Sequence, residues 1–210
     1  MSKLRLLVTG FGPFPTVPRN PSAAAARAVA ASPRWRTLGI DADALILTTA
    51  YATLPRELDP ALRARPDAVL MIGVASRSKM VRVEWRATSR RSTLFPDVAG
   101  ERAEFPADAK PRSALRSPLP AGKLLLVLRR HGLPARLSRD AGRYLCNAAY
   151  FRALEIGLPA IFVHIPPTPA PDRPRRGPAR APRPPWPTRL AAALTEIGIA
   201  VLLEGRIRPR

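Results

Sequence analysis

Four short, nearly continuous apolar runs, at residues 4–9, 44–49, 68–72 and 159–165, constrain this chain more than any other feature. A strand with one wet face alternates apolar and polar residues. These runs do not alternate, so each is expected to be buried on both sides. Strands of that kind belong to parallel sheets with helices over both faces. The intervening segments supply the helices. Asn20-Pro21-Ser22 starts one, with Asn as cap and Pro at the first helical position, ahead of an alanine-rich run at 23–31. Residues 119–131 read as a helix closed by Gly132, and 144–156 as one closed by Gly157. The expected fold is α/β: a three-layer α/β/α single domain with a mostly parallel central sheet.

Other segments are less regular. Pro55 and Pro60 are expected to confine residues 54–65 to short turns. Val81 and Val83 alternate with Arg82 and Glu84, the period of a half-exposed strand. Residues 92–117 are polar and turn-rich and read as an excursion from the main sheet, with a short strand at 133–137. Ten of the 26 prolines fall between Pro166 and Pro187, among several arginines, which predicts a loop over about 166–187 and not a packed element. A helix at 188–197 and a strand-like segment at 199–203 are expected to complete the fold.

With 210 residues and 46% hydrophobic content, one well-buried core is affordable, so a single domain over 1–210 is expected. The lone cysteine excludes an intrachain disulfide and suits a reducing cytoplasm. The apolar stretch near Met1 is too short for a signal peptide, and no run reaches the roughly 20 apolar residues of a membrane span. A cytoplasmic protein with no membrane partner is expected.

The net charge of +20 ordinarily points to nucleic acid. Yet only Lys3, Lys79, Lys110 and Lys123 among the 35 basic residues are lysine, and arginine is abundant together with alanine and proline. That pattern fits a bias of coding composition as well as it fits phosphate binding. No zinc spacing, helix-turn-helix pattern or aromatic-interleaved basic stripe accompanies it, so nucleic acid is not the expected partner. A basic protein binding RNA or an acidic partner through its arginine-rich tail is the alternative outside the enzymes.

Residues able to do chemistry are few. Cys146 lies where a turn marked by Gly142 gives way to a helix, and the unpaired N–H groups and dipole at a helix start favour a thiolate. The same position suits a buried cysteine packed as a small hydrophobe. His164 ends the last apolar run, at the sheet edge where α/β folds bind ligands. It can be the base of a Cys–His site, or a polar residue leaving the core. His131, beside a helix-ending glycine, reads as a cap of the last carbonyls. One Cys and two distant His give no metal-ligand spacing, and Gly10-Phe11-Gly12 lacks the third glycine of a dinucleotide loop. Neither a P-loop nor a Gly-x-Ser-x-Gly elbow is present. No cofactor and no metal are expected.

Three stretches carry a likeness to a known family. Thr9-Gly10-Phe11-Gly12-Pro13-Phe14 with Asn20-Pro21-Ser22, then Ala141-Gly142-Arg143-Tyr144-Leu145-Cys146-Asn147, then Phe162-Val163-His164-Ile165-Pro166 resemble, in order and spacing, the signatures of pyroglutamyl peptidase I (pyrrolidone-carboxylate peptidase). The likeness runs from about Leu4 to Pro166, as in a divergent, proteobacterial-type member. It implies a thiol exopeptidase that hydrolyses the N-terminal pyroglutamyl (5-oxoprolyl) residue from peptides through a Cys-His-Glu triad. Cys146 and His164 carry over directly. Val83-Glu84-Trp85-Arg86-Ala87, set against the family's Glu-Arg-x-Ala-x-Asn, makes Glu84 the acid, with Ser89 in place of that Asn.

The resemblance also implies that Phe11 and Phe14 wall a slot for the flat lactam ring, that the partners are N-terminally pyroglutamylated peptides, and that the chain forms a homo-oligomer, tetramer or dimer. One departure bears on substrate. Many members carry a Gly-Gln-Ala-Gly-Gly segment; here it is Gly73-Val74-Ala75-Ser76-Arg77, so Val74 takes the substrate-binding position without an amide. That leaves open a cysteine amidohydrolase acting on another small cyclic amide, and a catalytically altered or inactive paralogue.

Overall fold

The apolar runs become neighbouring strands of one sheet in a computed structural model that describes residues 3–14, 17–103, 113–167 and 183–207. Strand β1 (Leu4–Phe11) leads to helix α1 (Pro21–Ala30), a short α2 (Arg34–Leu38), β2 (Ile40–Leu47), helix α3 (Leu54–Arg63) and β3 (Ala68–Val74). Next come β4 (Val81–Glu84), β5 (Arg86–Thr88), β6 (Ala114–Arg116), helix α4 (Ala121–Arg130) and β7 (Ala135–Ser138). Helix α5 (Leu145–Glu155), β8 (Ala160–Ile165) and helix α6 (Trp186–Ile207) follow.

The six-stranded sheet has the order β2-β1-β3-β8-β4-β7. Strands β2, β1, β3 and β8 run parallel, whereas β4 meets β8 antiparallel and then pairs in parallel with β7. Residues alternate between two cores. Leu6, Val8, Leu70, Ile72, Ile161 and Val163 pack under α1, α4 and α6; Leu7, Val69, Met71 and Phe162 pack under α3 and α5. Both faces are thus covered, which is why these strands are apolar throughout. The three-layer, mostly parallel α/β fold matches the expectation.

Four local readings need correction. First, α3 is a continuous ten-residue helix and not a set of short turns. Pro55 falls in its first turn, where no N–H is needed, and Leu54, Leu58 and Leu62 form a buried stripe that holds the helix across Pro60. Second, 188–197 and 199–203 are one helix. Gly198 does not break it; a β-carbon there would stand 2.8 Å from Leu6 and 3.0 Å from the Trp35 ring, so the glycine lets α6 approach the sheet. Third, β4 is not half-exposed: Val81, Val83 and Glu84 are all buried. Fourth, His131 is the C-cap residue of α4 and its N–H donates to the Val127 carbonyl at 3.2 Å, but its ring does not cap: Nε2 meets Glu196 of α6 at 2.9 Å.

Helix α6 is also long and apolar enough, by length and composition, to cross a membrane, contrary to the sequence expectation. In the fold Leu190, Ala193, Leu194, Ile197, Val201 and Leu202 are its buried face against the sheet. Of the excursion expected over 92–117, residues 104–112 lie outside the described residues; β6 stands apart from the main sheet and pairs antiparallel with β5 in a small sheet. Much of the proline- and arginine-rich run lies outside the described residues, and its end, from Trp186, already belongs to α6.

Candidate active site

The carboxyl ends of β1, β3 and β8 converge with the start of α5, and each carries one part of the site. At β1, close packing explains the local sequence. A β-carbon on Gly10 would lie 2.6 Å from the Ser22 carbonyl oxygen, so only glycine lets α1 start against the strand. Asn20 caps α1, its Oδ1 accepting from the Ser22 N–H at 3.1 Å and from the Ser22 hydroxyl at 2.8 Å. Its Nδ2 donates to the Gly12 carbonyl at 2.8 Å, and the Phe11 N–H donates to Ser22 Oγ at 3.0 Å. Phe11 and Phe14 are held by this network and both line the cavity above it.

At α5, the turn after β7 is set by Asp140, whose Oδ1 accepts from the Gly142 N–H at 3.0 Å. Gly142 has φ +85°, a conformation that favours glycine, and it redirects the chain into the helix. Cys146 is the second residue of α5. Next to it, buried Asn147 accepts from the Thr88 N–H at 2.9 Å and donates to the Thr88 carbonyl at 2.7 Å, fixing α5 against β5. Tyr144, the residue before the helix, donates its hydroxyl to the Pro96 carbonyl at 2.9 Å. Asp97 organises that same loop, accepting from the N–H groups of Tyr51, Ala99 and Glu101.

The sulfur sits over the β3–β8 pair. Gly73 pairs in register with His164, and a β-carbon on Gly73 would stand 2.8 Å from Cys146 Sγ and 2.7 Å from the Phe162 ring. His164 is only 4% exposed, and its Nδ1 lies 2.9 Å from Glu84 Oε1. Glu84 reaches it from β4, which places Glu84 opposite Phe162 and Arg82 opposite His164. The carboxylate is fully buried, and the Tyr150 hydroxyl donates to the Glu84 backbone carbonyl at 2.9 Å. Arg82 Nη2 also meets Glu84 Oε1, at 2.8 Å.

Burial decides the state of the thiol. It pushes Cys146 up from its ordinary 9.0 to about 12, with the Glu84 charge adding to the rise. Backbone hydrogen bonds from Cys146 itself and from Val74 favour the thiolate, as expected at a helix start, but they are the smaller influence. Burial therefore opposes the low pKa expected at a helix start and favours the thiol. Burial also lifts Tyr51 and Tyr144 to about 12.

All six residues singled out in the sequence are brought to one place. Cys146 and His164 line a cavity of about 830 Å³ together with Phe11, Phe14 and Val74, and Glu84 stands behind His164. The volume is in the range of small-molecule sites. Its walls are mainly apolar around the sulfur, with Thr49 and Asn20 among the polar lining. Sequence reasoning gave no role to Arg82, Asn147 or Tyr150, and read Asp97 only as marking a bend. For Asn147 and Asp97 the available signal was a polar residue flanked by apolar or turn residues, which does not separate a buried clamp from a surface position. Among the described residues no cluster of three His, Cys, Asp or Glu side chains suits a metal ion.

Comparison with known proteins agrees with this geometry. The family model described as pyroglutamyl peptidase matches residues 4–186. A pyrrolidone-carboxylate peptidase of Chromobacterium violaceum is 34% identical over 164 residues, 77% of each chain. One from Gloeobacter violaceus is 30% identical over 208 residues, 96% of each chain. The crystal structure of pyrrolidone carboxyl peptidase from Thermus thermophilus superposes with a TM-score of 0.74 at 27% identity, covering 95% of this chain and 98% of that one.

Proposed function

The chain belongs to the pyroglutamyl peptidase family, and from that premise we propose a thiol exopeptidase that removes N-terminal pyroglutamate from peptides with Cys146, His164 and Glu84. The observation that carries the reading is the 2.9 Å contact between Glu84 and His164 Nδ1 behind a cavity lined by both His164 and Cys146. A nucleophile, a base and a group orienting the base are the three parts such chemistry requires.

Glu84 accepts a hydrogen bond from Nδ1–H, so the neutral imidazole keeps its lone pair on Nε2. As Cys146 Sγ attacks the pyroglutamyl carbonyl, its proton passes to Nε2, a C–S bond forms and the carbonyl oxygen becomes an oxyanion. Backbone N–H groups at the start of α5 receive that charge; a single such donor is worth roughly 3–4 kcal/mol in the transition state. Collapse expels the amine of the next residue, which takes the proton from His164 and leaves a thioester. Water, deprotonated by the same imidazole, cleaves the thioester, releasing pyroglutamate and restoring the thiol.

Phe11, Phe14 and Val74 suit a flat, uncharged lactam, which asks for an apolar slot with a few directed hydrogen bonds. The chemistry needs a reduced thiol, which fits a cytoplasmic protein whose partners are pyroglutamylated peptides and not nucleic acid or membrane. In the same reading residues 1–210 are one domain with a surface loop over about 166–187, assembling as a homo-oligomer, tetramer or dimer. Val74, buried at the cavity wall with no side-chain amide, favours one second reading: a cysteine amidohydrolase for a different small cyclic amide. Release of a fluorescent amine from a pyroglutamyl amide, beside a matched prolyl amide, decides between them. The proposal expects turnover of the first alone. Turnover of another lactam instead supports the second reading, and no turnover of any supports an inactive paralogue.

A further inference from the structure

Glu84 is a fully buried carboxylate, and a buried charge is tolerated only when paired. Its partners converge on one oxygen: His164 Nδ1 at 2.9 Å and Arg82 Nη2 at 2.8 Å both meet Oε1. The other oxygen, Oε2, is buried and has no hydrogen-bond partner among the described residues. The Arg82 guanidinium, always charged, is the fixed positive charge at this carboxylate. The same Nη2 donates to Ser138 Oγ at 2.9 Å and to the Asp140 carbonyl, on the turn that leads into Cys146.

We propose that Arg82 is a positioning residue for the reaction: it is the counter-charge of the Glu84 carboxylate and ties that carboxylate to the turn that delivers Cys146. The inference rests on the peptidase reading above. Its consequence is a proton balance. With Arg82 present, the guanidinium offsets the charge of the carboxylate. Without it, the buried Glu84–His164 pair is left with a net negative charge, which it relieves by holding an added proton more tightly, whichever residue carries it.

The other ionisable groups around the pair do not replace the guanidinium. Cys146 and Tyr150 of α5 are acids with raised pKa values. Arg77, after β3, and Arg136, on β7 opposite Arg82, line the cavity but are exposed. Asp140 directs its carboxylate to the Gly142 N–H.

The test is the pH profile of kcat/KM on a pyroglutamyl amide for the wild type, Arg82→Gln and Arg82→Lys. In Arg82→Gln the acid limb should move up by roughly 1–3 pH units, with a loss of at least about tenfold at neutral pH that is partly recovered at higher pH. Arg82→Lys should keep the limb near its wild-type position. An unmoved limb in Arg82→Gln overturns the proposal. Because Cys146 is the only cysteine, its alkylation rate by iodoacetamide against pH reads the same shift without substrate. A wild type inactive on the amide defeats the peptidase reading, while the alkylation profiles still decide the role of Arg82. Should Arg82→Gln not fold, the double variant Arg82→Gln/Glu84→Gln should fold, since no charge is left unpaired; a double variant that also fails to fold overturns the proposal.

Discussion

Gly73 has no room for a side chain, and that single restriction fixes where the Cys146 sulfur can sit. A methyl group there would press on Cys146 Sγ at 2.8 Å and on the Phe162 ring at 2.7 Å and 2.9 Å. The Gly73→Ala variant should therefore lose on the order of 100-fold in kcat/KM, as sub-ångström displacement of a reacting atom does; unchanged steady-state kinetics would show that the sulfur does not depend on this contact. In the sequence Gly73 reads as the end of a strand, although a glycine inside an apolar run also signals close backbone approach. Helix start and strand end made Cys146 and His164 candidates, each with a structural alternative that only the family likeness set aside. Glu84 was not legible by periodicity, because alternation with Val83 put it on a wet face, and only the family likeness found it. The thiol shows why local rules fall short: the helix-start N–H groups act in the expected direction, but burial is a tertiary effect and outweighs them.

Among the elements, α3 and α6 differ most from the sequence reading, for related reasons. Helix propensity treats Pro60 and Gly198 as breakers, yet packing of a buried stripe overrides local preference. Pro60 is exposed and sits inside α3, so its ring contributes no core contact while leaving one helical hydrogen bond unmade. Pro60→Ala is expected to raise unfolding free energy by about 1–2 kcal/mol, the helix gain less the unfolded-state entropy that proline restrains. Urea denaturation measures it, and a loss of stability would mean that the proline is part of the packing. The parallel strands were the most legible elements, because continuous apolar runs have one common physical cause. Their register, which sets Gly73 beside His164 and Arg82 beside Glu84's partner, has no signature in a single sequence.

At the scale of the molecule, the buried site makes folding sensitive to alkali. Cys146 is raised from 9.0 to about 12, Tyr51 and Tyr144 from 10.0 to about 12, and Tyr150 upward as well. Each group releases its proton more readily unfolded than folded. Their contribution is fully present below about pH 9, the lowest ordinary value among them, and is lost as pH rises through about 9–12. Thermal melting should be steady up to about pH 9 and then fall, and Cys146→Ser should delay the onset toward pH 10, where the tyrosines begin to ionise. An onset unchanged by the substitution would exclude the thiol as its first cause. The central claim, however, is that one sulfur at the start of α5 does the chemistry. Turnover of a pyroglutamyl amide by Cys146→Ala, compared with wild type at equal enzyme concentration, tests it most directly. A loss of about 10⁴-fold or more is predicted, as for removal of a covalent nucleophile; full turnover without the sulfur would contradict the mechanism.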